Sequence, residues 1–296
     1  MSKNIFLFIS LLVPLSLAKG AIYPMPTSGN DIIGHNETIY IEANDTLDKL
    51  AKEYEVSYHE LLEANPEINP KNLIPGTKVL IPTQFILPKY RKGIVINIPE
   101  LRLYYFMPDR EHVFTTPVGL GRDSWRTPTM LTGVIKKEAN PTWHVPKTIL
   151  KHEAKNGHQI PNEVPPGDPD NPLGNYVLYL GGKGGYLIHG NNEPDTIGKY
   201  YSSGCIRLYN SAMETLYSMV AVGTLVRIIH DPDKVGWLNG ELYLESHQSV
   251  SGNESDRDIQ TQIQKLIEQQ PINIDWNQVN LVNREKLGIP KLIGKE

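Results

Sequence analysis

The sequence predicts a mainly β protein: a β-sandwich or open barrel over residues 90–230, a small βααβ unit at 38–82 before it, and a partly helical extension at 231–296 after it. Three observations lead there. Short apolar runs recur through 90–230 with turn clusters between them, and no regular alternation with long helices supports a doubly wound parallel sheet. Between 38 and 82 an alternating segment, two capped helical segments and a second apolar strand follow one another. Beyond 231, an extended piece and two stretches with apolar residues at helical spacing flank a polar run.

Residues 1–18 carry the three parts of a secretory signal. Lys3 gives the positive start, Ile5 to Leu17 a short apolar stretch, and Ser16-Leu17-Ala18 the small residues read by a signal peptidase. The stretch is shorter than the roughly 20 residues a spanning helix needs, and Pro14 weakens it further. Cleavage after Ala18 is expected, with export to the periplasm. Residues 19–37 then read as a polar, Pro- and Gly-bearing leader with little order.

In the small unit, Thr38 to Ala43 alternates as a strand does. Asp45-Thr46 caps a helix bearing Leu47, Leu50, Ala51 and Tyr54, and Ser57 caps a second with Leu61 and Leu62. Asn65-Pro66 ends that helix, and Pro75-Gly76 turns the chain into the strand Lys78 to Pro82. In the larger unit the expected strands are 93–98, 102–106, 112–114, 133–135, 176–180, 187–188 and 224–229, with one helix at 211–219. The extension holds an extended piece at 241–245, a polar stretch at 249–256 and helices near 257–269 and 275–287. Its Trp276, Val279, Leu281 and Leu287 are too apolar for a free tail, so docking on the β domain is expected.

A net charge of −4 and a pI near 6.2, with no basic run, exclude a nucleic-acid partner. One cysteine, Cys205, allows no intramolecular disulfide and no cysteine-based metal cage. A lone thiol in an exported chain is prone to oxidation, which leaves it dependent on a periplasmic thiol reductant and demands a reason for its presence. Use as a nucleophile supplies one. A cysteine nucleophile needs a base, and donors for the oxyanion formed when it attacks a carbonyl. His189, ending the apolar run Tyr186-Leu187-Ile188 and followed by Gly190, is the natural base. Ser202-Ser203-Gly204-Cys205 offers backbone N–H groups at a glycine-relaxed turn. Arg207 would share a face with Cys205 in an extended segment, where its charge lowers the thiol pKa or holds a substrate carboxylate. The residue types alone leave open the bland alternative of a buried small cysteine and a structural histidine.

His152, His158 and Glu153 lack the spacing of a zinc helix, so no metal is expected, and no cofactor. Gly181 to Gly185 reads as a hairpin turn. Trp125 and Trp143 are candidates either for a substrate groove or for the core.

Two resemblances sharpen this reading. Asp45-Thr46-Leu47, Tyr54-x-Val56-Ser57, Leu61-x-x-x-Asn65, Leu73-x-Pro75-Gly76 and Ile81-Pro82 resemble a LysM module, which implies binding to N-acetylglucosamine-containing glycans such as peptidoglycan. Asn44 stands where that family usually has glycine, and asparagine tolerates the same left-handed backbone. Ile188-His189-Gly190-Asn191-Asn192, Ile197-Gly198 and Ser202-Ser203-Gly204-Cys205-Ile206-Arg207-Leu208-x-Asn210 resemble the signature of YkuD-type L,D-transpeptidases. Thr127-Pro128, Pro141-Thr142-Trp143-x-x-Pro146 and Asn171-Pro172-Leu173-Gly174 fall in the same order. Ser203 departs from the histidine that many members carry there.

The second resemblance implies that Cys205 attacks the carbonyl between meso-diaminopimelate and D-alanine in a tetrapeptide stem. His189 would shuttle protons, the Gly190 carbonyl would orient its imidazole, and Ser202, Ser203, Gly204, Arg207 and Asn210 would serve the oxyanion or the substrate. The acceptor would be another stem or a lysine of an outer-membrane lipoprotein. The rivals are an L,D-carboxypeptidase or amidase that lets water resolve the same thioester, a cysteine peptidase of peptidoglycan peptides, and a non-catalytic wall-binding protein. Papain-like and NlpC-type hydrolases place cysteine before histidine, the reverse of the order here.

Overall fold

The computed structural model describes residues 19–249, 259–268 and 270–295. The expected signal at 1–18 and most of the polar stretch at 249–256 lie outside them. Residues 93–229 build most of a nine-stranded sheet. Its order is Ala21–Pro24, His112–Pro117, Arg102–Phe106, Gly93–Asn97, Leu225–Ile229, Met130–Ala139, Tyr176–Leu180, Leu187–His189 and Ile206–Arg207. Neighbours are antiparallel except Gly93–Asn97 with Leu225–Ile229, and Leu187–His189 with Ile206–Arg207.

The sheet curls because Met130–Ala139 serves two partners. Its first residues pair with Leu225–Ile229 and its later ones with Tyr176–Leu180, with a bulge between Val134 and Lys136 that bends the strand. Helix Asn210–Met219 fills the concave side through Ala212, Met213 and Leu216, which pack with Ile94, Leu178 and Ile206. Burial of Met213 and of Leu216 contributes about 1.5–3 kcal/mol each against leaving them in water. The result is mainly β, as expected, and of the two expected alternatives it is the open barrel, a single curled sheet, rather than a sandwich.

The small unit pairs Glu37–Tyr40 with Lys78–Ile81 around helices Leu47–Tyr54 and Tyr58–Ala64. Thr46 caps the first helix, and Ser57 and Glu60 form a reciprocal capping box on the second. Asn44 has a φ of 71°, the left-handed conformation expected of it. The Asn65 amide donates to the Leu61 and Leu80 carbonyls and accepts from Leu80 N–H, which ties the helix end to the last strand.

The leader departs from expectation. Ala21–Pro24 forms an edge strand of the main sheet against His112–Pro117, and Ile32–Gly34 pairs with Gln84–Ile86. Backbone pairing with segments far along the chain, together with burial of Ile33 beside Phe85 and Tyr104, supplies the order that local composition lacks. Helix Lys147–Lys155 was also unexpected: it has no side-chain cap and buries none of its residues.

The extension folds into a four-stranded sheet of Asp233–Leu238, Glu241–Ser246, Lys291–Lys295 and Asn273–Ile274, backed by helices Ile259–Ile267 and Trp276–Glu285. It docks on more than the β domain. Trp237 N–H donates to the Asp31 carboxylate at 2.9 Å, and Ile86 N–H to Glu245 at 2.6 Å. His247 lies between Glu63 of the small unit, at 2.9 Å, and Glu245, at 2.8 Å.

The small unit is also clamped directly to the main sheet. Glu60 accepts from Arg102 through both carboxylate oxygens, at 2.8 and 2.7 Å, and both side chains are buried. One of those oxygens also accepts the Ser57 N–H, so a single carboxylate caps a helix and joins two units. Lys199 pairs with Asp48 and lies over the Tyr58 ring, while Tyr200 packs against His59. The segment that runs into Cys205 therefore rests on the helices of the small unit.

Candidate active site

The parallel pair Leu187–His189 and Ile206–Arg207 determines the site. Its register sets Ile188 opposite Ile206 and His189 opposite Arg207, and Leu208 N–H donates to the His189 carbonyl at 2.9 Å. Cys205 immediately precedes the second strand, and the Leu187 N–H points at its sulfur. Leu187 and His189, two apart on one strand, direct their side chains to the same face. In that register Cys205, one residue before Ile206, falls opposite Leu187 and so on the same face of the strand pair as His189.

His189 is buried, and its Nδ1 faces the Gly190 carbonyl at 2.7 Å. That bond assigns the ring proton to Nδ1 and leaves Nε2 as the basic nitrogen. Burial, helped by the Arg207 charge, pushes its pKa down to about 4, against the opposing pull of the Gly190 and Pro172 carbonyls. The imidazole is therefore neutral over the physiological range. Cys205 is half-buried, and burial pushes its thiol pKa up, although the Leu187 N–H and Arg207 pull it down. The pair rests as thiol and imidazole rather than as an ion pair. The arginine expected to lower the thiol pKa does act in that direction, but desolvation outweighs it.

The turn before Cys205 is held from within and from both sides. Ser202 Oγ donates to the Cys205 carbonyl at 2.6 Å and accepts the Gly204 N–H at 3.1 Å. Tyr200–Ser202 pairs with Leu120–Gly121, Arg122 N–H reaches the Ser202 carbonyl, and the Arg122 guanidinium reaches Ser203 Oγ. Thr127, whose Oγ1 accepts from Gly121 N–H and donates to the Gly204 carbonyl, both at 2.9 Å, completes the brace. Gly204 has a φ of 107°, and a Cβ there would lie 3.1 Å from the Tyr186 ring, so the turn requires glycine.

Several residues expected to serve the oxyanion or the substrate are committed elsewhere. The Gly204 N–H is taken by Ser202, whose hydroxyl is itself buried and fully used within the turn. Both ends of the Asn210 amide are bonded to the Asn191 backbone, at 2.8 and 2.9 Å. Asn210 also lies so close to Gly190 that a Cβ there would meet its Oδ1 at 2.3 Å. It is a wedge that fixes the backbone just after His189. Arg207 binds Glu193 at 2.8 Å and Thr196 at 3.3 Å, while its buried Nε has no hydrogen-bond partner.

In the sequence Thr127 stands out only as a landmark, and Arg122, Tyr186 and Glu193 do not stand out as site residues. Their separation from Cys205 along the chain hides the contacts. Trp125 borders the site: its ring lies tilted against that of His152, and its carbonyl is near Gly204. His158 pairs with Glu153 at the surface.

Among the described residues one group has metal-ligand geometry, Glu100, Glu245 and His247. The Lys234 ammonium pairs there with both Glu100 and Glu245, so a lysine already supplies the cation.

Comparison with known proteins assigns two domains to families. Residues 91–228 match YkuD, the L,D-transpeptidase catalytic domain, and residues 39–82 match the LysM domain. The chain is 42% identical to the probable L,D-transpeptidase YcfS of Escherichia coli K12 over 254 residues, covering 83% of this chain and 79% of that one. It is 36% identical to the probable L,D-transpeptidase ErfK/SrfK of the same organism over 302 residues, covering 97% and 95%. An L,D-transpeptidase structure from Mycobacterium smegmatis matches with a TM-score of 0.38 and 20% identity, over 52% of this chain and 63% of that one. The chain belongs to the L,D-transpeptidase family and joins a YkuD catalytic domain to an N-terminal LysM domain.

Proposed function

We propose that Cys205 is the acyl carrier of a periplasmic L,D-transpeptidase acting on peptidoglycan. The observation that supports the reading is the strand register that sets Cys205 and His189 on one face, with His189 Nδ1 held by the Gly190 carbonyl. Cys205 Sγ attacks the carbonyl linking meso-diaminopimelate to D-alanine, and its proton passes to His189 Nε2. The same proton then goes to the leaving nitrogen, the amide bond breaks, D-alanine departs and a thioester remains. An acceptor amine attacks the thioester, gives a proton to His189, and the proton returns to the sulfur.

Because the Gly204 N–H is already engaged, the developing oxyanion falls to the N–H groups of Cys205 and Ser203, neither of which has a backbone partner among the described residues. Arg207 and the Leu187 N–H stabilise the anionic sulfur once the proton has left. The neutral histidine suits this chemistry, since an imidazolium could not accept the proton.

The acceptor is another stem peptide or a lysine of an outer-membrane lipoprotein, and a periplasmic thiol reductant maintains the sulfur. Water as acceptor would give the carboxypeptidase reading instead. The test is release of D-alanine from tetrapeptide muropeptides by the wild type and by Cys205→Ala, with muropeptide analysis of the products. Loss of release with unchanged binding to peptidoglycan is expected; continued release by the alanine variant overturns the reading.

A further inference from the structure

Three hollows lie in sequence between the LysM loops and the turn that holds Cys205. The first is on the LysM domain itself, between Ile41 and the loop that carries Asn69 and Asn72, and Pro66 is part of its wall. The second, of about 360 Å³, lies where the three parts of the chain meet and also includes Pro66. It is built from Leu62 and Glu63 of LysM, Pro99 and Tyr200 of the catalytic domain, and Glu285 and Lys286 of the extension. The third, of about 270 Å³, is lined by both Tyr200 and Thr127. Thr127 is the residue whose hydroxyl holds Gly204 beside Cys205. Pro66 is thus a wall common to the first two hollows and Tyr200 to the last two, so the three adjoin in series.

The parts that wall the hollows are held in place. The buried Glu60–Arg102 pair and the His247–Glu63 contact hold LysM against the catalytic domain and the extension. Tyr200 is itself pinned, by its hydroxyl bond to the Ile98 carbonyl at 2.7 Å and by its contact with the His59 ring.

We infer that the junctional hollow seats the peptide stem of a glycan strand held on LysM, and that the stem passes Tyr200 on its way to the catalytic turn. The inference rests on the peptidoglycan reading above and adds which route its substrate takes. The chemistry of the walls selects this occupant. Leu62, Pro66, Pro99 and the Tyr200 ring form an apolar floor, while Glu285 and Lys286 set charges of opposite sign side by side on the rim. Arg126 and Asp123 repeat that mixed charge at the third hollow. A stem peptide bears carboxylates and a side-chain amine on short apolar residues, which matches both features. A polyanion would call for a uniformly basic wall, and an amphipathic helix for an unbroken apolar groove.

The arrangement makes LysM and the active site read the same strand. Strand-linked stems should then react faster than free ones, because tethering raises the local concentration of stem at the thiol. Glu285→Trp, an exposed change outside the catalytic machinery, would fill the hollow. Release of D-alanine from intact sacculi should fall by about tenfold or more in that variant, as the tethering advantage is lost. Release from a free disaccharide-tetrapeptide, and sedimentation with sacculi, should stay unchanged.

Wild-type rates on sacculi in the Glu285→Trp variant would overturn the route and leave the enzymatic reading standing. No release by the wild type from either substrate would overturn both. A second measurement uses the full-length Cys205→Ala chain. A glycan bearing tetrapeptide stems should shift the amide resonances of Tyr200 and Lys286, whereas the same glycan stripped of peptide should shift only those around Asn72. Equal shifts at Tyr200 with the stripped glycan would make the hollow a sugar seat and refute the proposal.

Discussion

His189 Nδ1 and the Gly190 carbonyl lie 2.7 Å apart, a bond between consecutive residues that assigns the tautomer without an acidic partner. A carboxylate in that position would favour the imidazolium and draw the thiol towards an ion pair. A carbonyl does so far less, and burial then keeps the ring neutral and the thiol protonated.

The first prediction concerns thiol reactivity. With burial raising the Cys205 pKa and lowering that of His189, little thiolate should exist at neutral pH. Alkylation of the free enzyme by iodoacetamide should be slow near pH 7 and rise above pH 9. A fast, pH-independent reaction down to pH 5 would contradict the neutral pair.

Stability should depend on pH through two buried histidines of opposite character. His189 titrates near 4 when folded and near 6.5 when unfolded, so the unfolded chain takes up the proton first as pH falls. Its contribution is whole above 6.5 and declines as pH falls towards 4, by on the order of 3 kcal/mol. For His247, burial opposes the charge, but Glu245 and Glu63 on its two ring nitrogens outweigh it and raise the pKa to about 9. That contribution is whole below 6.5 and is lost as pH rises towards 9. The two together peak near pH 6.5. Denaturant midpoints across pH 4–9 check this, and Glu63→Gln should flatten the alkaline side.

Thr127→Val should leave the Gly204 carbonyl and the Gly121 N–H without their partner, costing about 1–3 kcal/mol of stability. The larger effect should fall on kcat, reduced on the order of 10- to 100-fold as the turn under Cys205 loosens. KM should change little, and Thr127→Ser should restore most of the rate. Steady-state kinetics on a tetrapeptide muropeptide separates the two parameters.

Glu60→Gln should be costlier than most substitutions, because it strands the buried Arg102 guanidinium and weakens a helix cap at once. A loss of about 3–5 kcal/mol is expected from the broken buried pair. Replacing both partners, as in Glu60→Leu with Arg102→Leu, should recover a good part of it. Urea unfolding of the three proteins gives the comparison.

Much of this molecule was legible in its sequence where the signal is local. The caps at Thr46 and Ser57, the left-handed Asn44 and the strands Arg102–Phe106 and Tyr176–Leu180 all follow from neighbouring residues. Cys205 and His189 stood out because a lone thiol and a glycine-flanked histidine are unusual in their setting. What escaped depends on distant partners. The edge strand Ala21–Pro24 is ordered by His112–Pro117, and nothing in four residues announces that. Helix Lys147–Lys155 has neither cap nor buried face, the two features by which helices are read. Arg102 looked like an ordinary strand residue, yet it is buried by a pairing 42 residues away in the chain. The hydrogen bonds by which Asn210 and Ser202 hold the backbone beside Gly190 and Cys205 were not legible, because they are set by the fold of the turns.

If Cys205 carries the acyl group, the thioester should be trapped on it during turnover. The most direct measurement is intact mass, followed by peptide mapping, of the full-length protein quenched with acid during turnover of a tetrapeptide muropeptide. The account predicts an adduct equal to the muropeptide less D-alanine, confined to the peptide that contains Cys205. Release of D-alanine with an unmodified Cys205 peptide at every quench time, or with the adduct on another residue, would contradict it.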